Sequence, residues 1–396
     1  MNACHNITIR LIMRMRRLLV LLLGLLMMLP ASARKRNDFE LKRGINMSHW
    51  LSQSYARGRM REQRVTEADF RMLRDFGFDH VRIPIDEEQF WDNDGKQLPE
   101  AWVLLTRSLD LCVKYNLRAI VDLHIIRSHN FNAVNEGRKN TLFEDPAAQQ
   151  RLIDMWFELS DSLKRFPNDM VAYEFMNEPV ADNAEQWNDL IAKVHKALRS
   201  REPQRTLVIG SNMWQSFDTF KELKVPRHDP NIILSFHYYL PMLLTHYRAS
   251  WNEYRDYAGP LHYPGEMVHP DEFEKLTDKE KSVVKDYVGV EWNRDRLLAD
   301  MADAIKVARK YHLQLFCGEW GVYETAPKEE KYRWIEDMIQ VFDEHDIAWT
   351  MWNYDSGFGF MNNRTHQVSD QRLLDILTGG KALDDCNAKT KNPAGD

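Results

Sequence analysis

The chain has 396 residues, of which 44% are hydrophobic and 28% are charged, and its formal net charge is −6. These are the proportions of an ordinary globular protein, and they exclude a disordered, collagen-like or disulfide-dense chain. The basic residues form no dense block beyond the N-terminal segment, so we expect no nucleic-acid partner.

The N-terminal segment has the features of a secretory signal peptide. Arginines between positions 10 and 17 precede the apolar run Leu18–Leu29, and Ala31-Ser32-Ala33 supplies small residues for cleavage. The run is short against the ~20 residues of a membrane-spanning helix. We therefore expect residues 1–33 to be cleaved, which leaves a secreted or periplasmic protein without a stable membrane span. An uncleaved anchor is the alternative.

Eight short apolar runs follow along the chain. Each is too short for a helix and is typical of a strand that is buried on both faces. The predicted strands are Arg43–Met47, Asp79–Ile83, Arg118–Leu123, Val171–Phe175, Thr206–Ile209, Ile232–Phe236, Gln314–Cys317 and Ala348–Trp352.

Amphipathic stretches separate most of these runs. The first begins with Thr66-Glu67-Ala68-Asp69, which resembles a capping box. The others are Pro99–Tyr115, Asp145–Phe166, Ala184–Arg201, Arg294–Tyr311 and Lys328–His345. This alternation predicts the α/β class and a (β/α)8 TIM barrel. A doubly wound open sheet is the alternative, but Gly44–Met47 lacks the glycine-rich turn that normally follows its first strand.

No linker divides the rest of the chain, so we expect residues 34–380 to form one domain and the polar residues 381–396 to form a tail. The segment Tyr238–Asn293, after the sixth strand, is far longer than an ordinary barrel loop and is rich in aromatic residues. Loops of this length are usually functional or disordered, and the aromatic residues argue against disorder. We predict that its Trp251 and Trp292 line a binding site, with packing in the core as the alternative.

Polar and aromatic side chains stand where the predicted strands end, which is where the active site of a barrel forms. Two of them, Glu178 and Glu319, are carboxylates separated by about half a barrel, so we expect them to face each other across a cavity. Two facing carboxylates suit glycoside hydrolysis, because one donates a proton while the other attacks the anomeric carbon or guides water to it.

The motifs VRIP, NEP, HYY, GEW and a late WN, in this order and spacing, resemble glycoside hydrolase family 5, the cellulase A family, over roughly Arg43 to Thr378. The resemblance implies a retaining O-glycosyl hydrolase that cleaves a β-linked polysaccharide or oligosaccharide by double displacement. It implies no cofactor and no metal, and we expect a monomer.

The resemblance also implies roles for single residues. Glu178 matches the general acid/base and Glu319 the nucleophile, which Arg82 would hold ionised. Asn177 matches the amide that binds the 2-hydroxyl of the sugar in the −1 subsite.

Four more positions match residues around the sugar. Tyr239 matches a phenol beside the nucleophile, and His237 matches an imidazole two residues earlier. His124 matches a histidine that contacts substrate, and Trp352 matches the floor beneath the −1 sugar.

One stretch departs from the cellulase pattern. In many cellulases, the histidine that matches His124 is followed directly by a second histidine. Here the chain continues as Ile125–Asn130 instead. That stretch is more similar to the branch with exo-acting 1,3-glucanases, which leaves the linkage and endo or exo action open. His129 and Asn130 are candidate subsite residues, with a loop-building role as the alternative.

Two other functions compete with this interpretation. A metal-dependent barrel hydrolase would use His124, His129, His237 and Glu178, although the chain has no HxH or HExxH spacing. A non-catalytic carbohydrate-binding barrel would keep the aromatic residues and lose a carboxylate, and both glutamates are present. The sugar is left open among glucan, mannan and xylan.

Overall fold

The computed structural model describes residues 36–133 and 135–380. The predicted signal peptide and the predicted tail lie outside the described residues. Eight parallel strands close into a barrel in chain order, so the fold is the predicted (β/α)8 barrel and the open-sheet alternative is wrong. The barrel strands are β1 Arg43–Asn46, β2 His80–Asp86, β3 Arg118–Ile125, β4 Val171–Glu174, β5 Thr206–Gly210, β6 Ile232–Tyr238, β7 Gln314–Trp320 and β8 Ile347–Met351.

All six predicted helices are present, with ends that differ by a few residues. The helices of eight residues or more are α1 Glu67–Asp75, α2 Pro99–Lys114, α3 Pro146–Leu163, α4 Ala184–Arg201, α5 Arg294–Tyr311, α6 Lys328–Glu344 and α7 Gln371–Thr378. Shorter α-helical segments are Arg59–Arg64, Glu87–Phe90, Asn212–Gln215, Met242–Thr245, Pro270–Phe273 and Asp278–Val284. Between β5 and β6 the chain forms a 3₁₀ helix, Phe217–Glu222, in place of a long α-helix.

Side-chain caps fix where several helices begin. At α1, Asp69 accepts hydrogen bonds from the backbone N–H and the hydroxyl of Thr66, at 2.7 and 2.8 Å, as the capping-box pattern predicts. Asn183 accepts from the N–H of Gln186 at the start of α4. These caps satisfy backbone donors that the first helical turn leaves without a partner.

Side chains alternate between the two faces of each barrel strand, so they pack into two different cores. Along β3, Ala119, Val121 and Leu123 pack in the large core that also contains the helices. Ile120 belongs instead to a smaller cluster with inward residues of the other strands. Because successive side chains point to opposite faces, Asp122 and His124 continue the inward row above Ile120. The strands thus carry polar side chains toward the carboxyl end of the barrel.

The long loop after β6 is folded rather than open. It contains short helices and a two-stranded antiparallel sheet, Gly265–Glu266 with Glu291–Trp292. Most of the aromatic residues that we noted there are buried, including Tyr254, Tyr257 and Tyr263. They belong to the large core that also contains the helices.

Cys112 and Cys317 are buried free thiols. In residues 36–133 and 135–380, none of the helices combines the length and apolar character that a membrane crossing requires.

Candidate active site

A cleft of about 900 Å³ opens at the carboxyl ends of the barrel strands. Seven of the residues predicted from the sequence line it. They are His124, Glu178, His237, Tyr239, Trp251, Glu319 and Trp352.

Arg82, on β2, lies fully buried beneath the cleft and is surrounded by carboxylates. Its Nη1 donates to Glu319 Oε1 at 2.9 Å and its Nε donates to Glu174 Oε2 at 2.6 Å. Its Nη2 lies 3.0 Å from Asp122 Oδ2. One guanidinium therefore serves three buried carboxylates, and it fixes the position of the one that reaches the cleft.

Glu319 owes its direction to an irregularity in β7. The pairing register with β6 shifts so that His237 stands opposite Glu319, which leaves Gly318 as an extra residue. A Cβ atom at Gly318 would lie 2.8 Å from Ser235 Oγ, so a side chain there would collide. Tyr239 donates its hydroxyl to Glu319 Oε2 at 3.1 Å, on the carboxylate oxygen opposite the one bound by the arginine.

Glu178 follows β4 in a backbone conformation that is rare for residues with a side chain, with φ of +44°. Its N–H donates to Gln215 Oε1 at 3.0 Å, which holds the turn. His237 Nδ1 lies 2.9 Å from Glu178 Oε1 and 3.8 Å from Glu319 Oε2. An oxygen of each carboxylate lies within 4.8 Å of the other.

The two carboxyl groups differ in their electrostatic surroundings. Burial and the negative charge of Glu319 raise the pKa of Glu178 well above its ordinary value. Burial also raises the pKa of Glu319, but the positive charge of Arg82 opposes that rise. Burial lowers the pKa of His237 well below its ordinary value, so the imidazole beside Glu178 is neutral. The arrangement can therefore supply a proton from one carboxyl group and a negative charge from the other.

Asn177 presents an unused hydrogen-bond donor. Its Oδ1 accepts from Arg82 Nη2 at 2.8 Å, which fixes the orientation of the amide. Its buried Nδ2 has no hydrogen-bond partner among the described residues. A buried donor without a partner is costly, and a sugar hydroxyl would satisfy it.

His124 and Trp352 lie together on another side of the cleft. Asp122 Oδ2 lies 2.7 Å from His124 Nδ1 and orients the ring. The imidazole stacks on Trp352 with the ring centroids 5.7 Å apart. Burial lowers the pKa of His124 to about 4, so it is an uncharged hydrogen-bonding group at neutral pH.

His129 and Asn130 require a correction, because neither lines the cleft. His129 is buried, its Nε2 accepts from the N–H of Val180, and its ring packs against Phe143. Asn130 accepts from the N–H of Asn132 within the same loop. The structure gives both residues the loop-building role that the sequence left as the alternative.

The two predicted loop tryptophans, Trp251 and Trp292, differ in exposure and position. Trp251 is 60% exposed and lines the cleft, with its ring centroid 4.9 Å from that of Tyr323. Trp292 is only 5% exposed, does not line the cleft, and lies under the guanidinium of Arg296. The structure thus does not support Trp292 as a substrate-binding residue, because its ring is buried in the large core.

Sequence reasoning missed several residues of the site. Asp122 and Glu174 went unnoticed because they lie inside strands, although a carboxylate within an apolar run was the available signal. Gln215 follows β5, where no motif marked it. The missed cleft-lining residues include His49, Gln53, Phe131, Trp214, His246, Tyr323 and Phe358.

The set of metal ligands that we considered from the sequence does not assemble. Among the described residues of the cleft, Glu178, His237 and Glu319 have ligand atoms close together, and neither His124 nor His129 joins them. His124 is directed at Asp122, and His129 is held by a backbone N–H.

Comparison with known families agrees with this geometry. Residues 38–357 match the family model described as cellulase, glycosyl hydrolase family 5. The chain belongs to glycosyl hydrolase family 5. It is accordingly a retaining O-glycosyl hydrolase, and the comparisons support neither the metal-dependent alternative nor the non-catalytic one.

Named relatives of this family 5 enzyme cover most of its length. Endoglucanase C of Acetivibrio thermocellus is 33% identical over 346 residues, which are 86% of this chain and 98% of the relative. Cellodextrinase A of Ruminococcus flavefaciens is 30% identical over 77% of this chain and 83% of its own. The crystal structure of endoglucanase Cel5A from Thermotoga maritima aligns with a TM-score of 0.67 at 22% identity, over 86% of this chain and 98% of that one.

Proposed function

We propose that this family 5 enzyme cleaves β-glucan chains internally, with Glu319 as the nucleophile and Glu178 as the general acid/base. The observation that carries the proposal is the pair of carboxyl groups, which approach within 4.8 Å and differ in their electrostatic surroundings. Retaining enzymes hold these groups about 5–5.5 Å apart, whereas inverting enzymes need about 6.5–9.5 Å to admit water between them.

The reaction takes two displacements. Glu319 attacks the anomeric carbon while Glu178 gives its proton to the leaving glycosidic oxygen, and a glycosyl ester forms on Glu319. Glu178, now ionised, takes a proton from water, which attacks the same carbon and releases Glu319. Two inversions restore the original anomeric configuration.

Neighbouring groups hold the reactants in place. Arg82 and Tyr239 bind different oxygens of Glu319, so the carboxylate is fixed before substrate arrives. The free amide N–H of Asn177 would bind the 2-hydroxyl of the reacting sugar. His124 and Trp352 would contact the same sugar from the side of the cleft where they stack.

The relatives support glucan as the substrate and internal cleavage as the mode. Endoglucanase C, whose name denotes internal cleavage of glucan, is similar to this chain over nearly its whole length. The exposed Trp251 extends the cleft wall and would stack on a sugar beyond the reacting one.

Product analysis on soluble β-glucans, mannan and xylan tests the proposal. We expect cleavage of β-glucan, a rapid fall in viscosity before reducing sugars accumulate, and a β-anomer as the first product in proton NMR. Release of monosaccharide or disaccharide from chain ends alone would contradict internal cleavage. A first product in the α configuration would contradict the two-step mechanism.

We also propose that residues 1–33 are a cleaved signal peptide, that residues 34–380 form the catalytic domain, and that the mature enzyme is a secreted or periplasmic monomer. The sequence features of the first 33 residues support export. N-terminal sequencing of the exported protein should begin at Arg34, and light scattering should give the mass of one chain. A protein that begins at Met1 and stays with the membrane would favour the anchor.

A further inference from the structure

Two histidines and two glutamates meet on the long loop after β6. His262 Nε2 lies 2.9 and 3.1 Å from the two carboxylate oxygens of Glu272. The rings of His262 and His269 have centroids 4.5 Å apart. Glu266 Oε2 lies 3.4 Å from His269 Nδ1. Four side chains with metal-binding atoms thus converge from a segment of eleven residues.

The spacing of these atoms fits a small divalent cation. One ligand atom from each of His262, His269 and Glu272 lies within 4.8 Å of the other two. A tetrahedral zinc ion with ligand bonds of about 2.0–2.1 Å needs its ligand atoms about 3.3 Å apart. Rotation of the three side chains would have to close this difference. Imidazole nitrogen together with carboxylate oxygen is a donor set that zinc accepts readily.

The backbone that carries these side chains is held in place. Between the ligands, Tyr263, Met267 and Val268 are buried. The hydroxyl of Tyr263 donates to Asp337 Oδ2 at 2.8 Å, which ties the segment to α6. The N–H of Met267 donates to the carbonyl of Val290 at 3.0 Å. Ordered ligand positions reduce the conformational entropy that metal binding would otherwise cost.

The cluster is open to solvent and separate from the catalytic machinery. The side chains of His262, His269 and Glu272 are 37%, 45% and 24% exposed, so an ion can enter directly from water. None of them lines the cleft. The part of the chain that the structure describes holds a second group of close ligand atoms, Glu178 with His237 and Glu319, and any test has to distinguish the two.

We infer that His262, His269 and Glu272 bind one divalent transition-metal ion of the zinc class, with Glu266 or water completing its coordination. Such an ion would join residues on both sides of the short strand Gly265–Glu266 and would stabilise the folded loop. Since the ion binds the native loop and not the unfolded chain, it would raise the melting temperature, and the added stability would grow with the logarithm of the free zinc concentration once that concentration exceeds the dissociation constant.

Zinc titration of the exported, untagged enzyme tests this inference after removal of bound metal with a chelator. We expect one zinc ion per chain by calorimetry and by elemental analysis. His262→Gln and His269→Gln should each weaken binding at least tenfold and abolish the rise in melting temperature caused by zinc. His312→Asn is the matched control, because that exposed histidine lies at the end of α5, where its φ of +54° suits asparagine, and should bind zinc as the parent does.

A second control separates the loop from the cleft. Glu178→Gln removes a ligand of the catalytic group and should leave zinc binding unchanged. Zinc binding that survives both loop histidine variants, or that disappears with Glu178→Gln, would overturn the inference. If a histidine variant folds poorly, Glu272→Gln with Co²⁺ as the probe gives the answer. The visible bands of tetrahedral cobalt should appear in the parent enzyme and be lost in Glu272→Gln, and their persistence in that variant would equally overturn it.

Discussion

The groups nearest the two cleft carboxylates differ in charge. Glu319 is bound by the guanidinium of Arg82, which favours its ionised form. Glu178 is bound by His237, whose lowered pKa makes it neutral, so no adjacent cation favours ionisation there to the same degree. Identical side chains thus acquire different chemistry from the residues beside them.

At the level of single residues, the nucleophile can be identified by rescue. Glu319→Gly should abolish hydrolysis, because no carboxylate then remains to form the glycosyl ester. Azide should occupy the vacated space and restore turnover of an activated aryl glycoside. Its product should be a glycosyl azide of inverted configuration, detectable by NMR. If azide restores nothing in a variant shown to be folded by circular dichroism, Glu319 is not the nucleophile.

The raised pKa of Glu178 predicts the shape of the pH profile. The acid must be protonated when substrate binds, so kcat/KM should fall as pH rises through the pKa of Glu178, and this basic limb should lie above the ordinary glutamate range. Glu178→Ala should flatten the basic limb on substrates whose leaving groups need no protonation. An unchanged basic limb in that variant would mean that another group is the acid.

At the level of elements, the loop after β6 combines two kinds of aromatic residue. Trp251 lies at the cleft with most of its surface exposed, whereas Trp292 is buried beside the short strand pairing. Composition alone does not separate them, since both stand in the same segment without a helical or strand period. In the structure, Trp251 is exposed and Trp292 is buried. We therefore expect mutation of Trp251 to affect substrate binding and mutation of Trp292 to affect stability.

Replacing each tryptophan by alanine tests the distinction. Trp251→Ala should raise KM for long oligosaccharides and leave kcat on a small aryl glycoside nearly unchanged, because stacking stabilises ground state and transition state alike. Trp292→Ala should lower the free energy of unfolding by about 3 kcal/mol, as expected for a buried aromatic ring. Kinetics and denaturant unfolding of both variants provide the measurements. A stability loss in Trp251→Ala equal to that in Trp292→Ala would place both rings in the core.

The barrel itself could be predicted from the sequence because short apolar runs between amphipathic stretches have few other solutions. The ends of the strands were less predictable. β2 continues to Asp86 and β7 to Trp320, beyond the predicted ends at Ile83 and Cys317, so that Glu319 lies on hydrogen-bonded strand rather than after it.

Part of the active site could also be predicted from the sequence. Glu178 and Glu319 stand at strand ends next to recognisable motifs, so the sequence indicated them. A strand buried on both faces does not reveal which residues point inward, and Asp122 and Glu174 were therefore missed. Gln215 reaches Glu178 and Glu174 only through the fold after β5, which no local pattern encodes.

At the level of the whole molecule, Asp69 makes contacts with residues near both the start and the end of the barrel sequence. It caps α1 through Thr66, and it accepts from the hydroxyl of Tyr354 at 2.7 Å. Its Oδ1 also lies 3.0 Å from His366 Nδ1. The carboxylate is fully buried and thereby connects the helix after β1 to the segment after β8, where the barrel closes.

Burial alone would raise the pKa of Asp69, but its hydrogen bonds to His366, Tyr354 and Thr66 outweigh burial and lower it. A lowered pKa means that the carboxylate stabilises the fold above about pH 4, the unfolded aspartate value, and that this stability is lost as pH falls through the folded value.

Asp69→Asn should therefore cost about 3 kcal/mol of unfolding free energy at pH 7, since it breaks a buried charged network. It should also flatten the dependence of stability on pH below about pH 4. Denaturant unfolding across that range measures both effects. Asp110→Asn, which breaks an exposed pair with Arg165, is the control and should change stability by less than about 1 kcal/mol. Equal losses in the two variants would mean that barrel closure does not depend on Asp69.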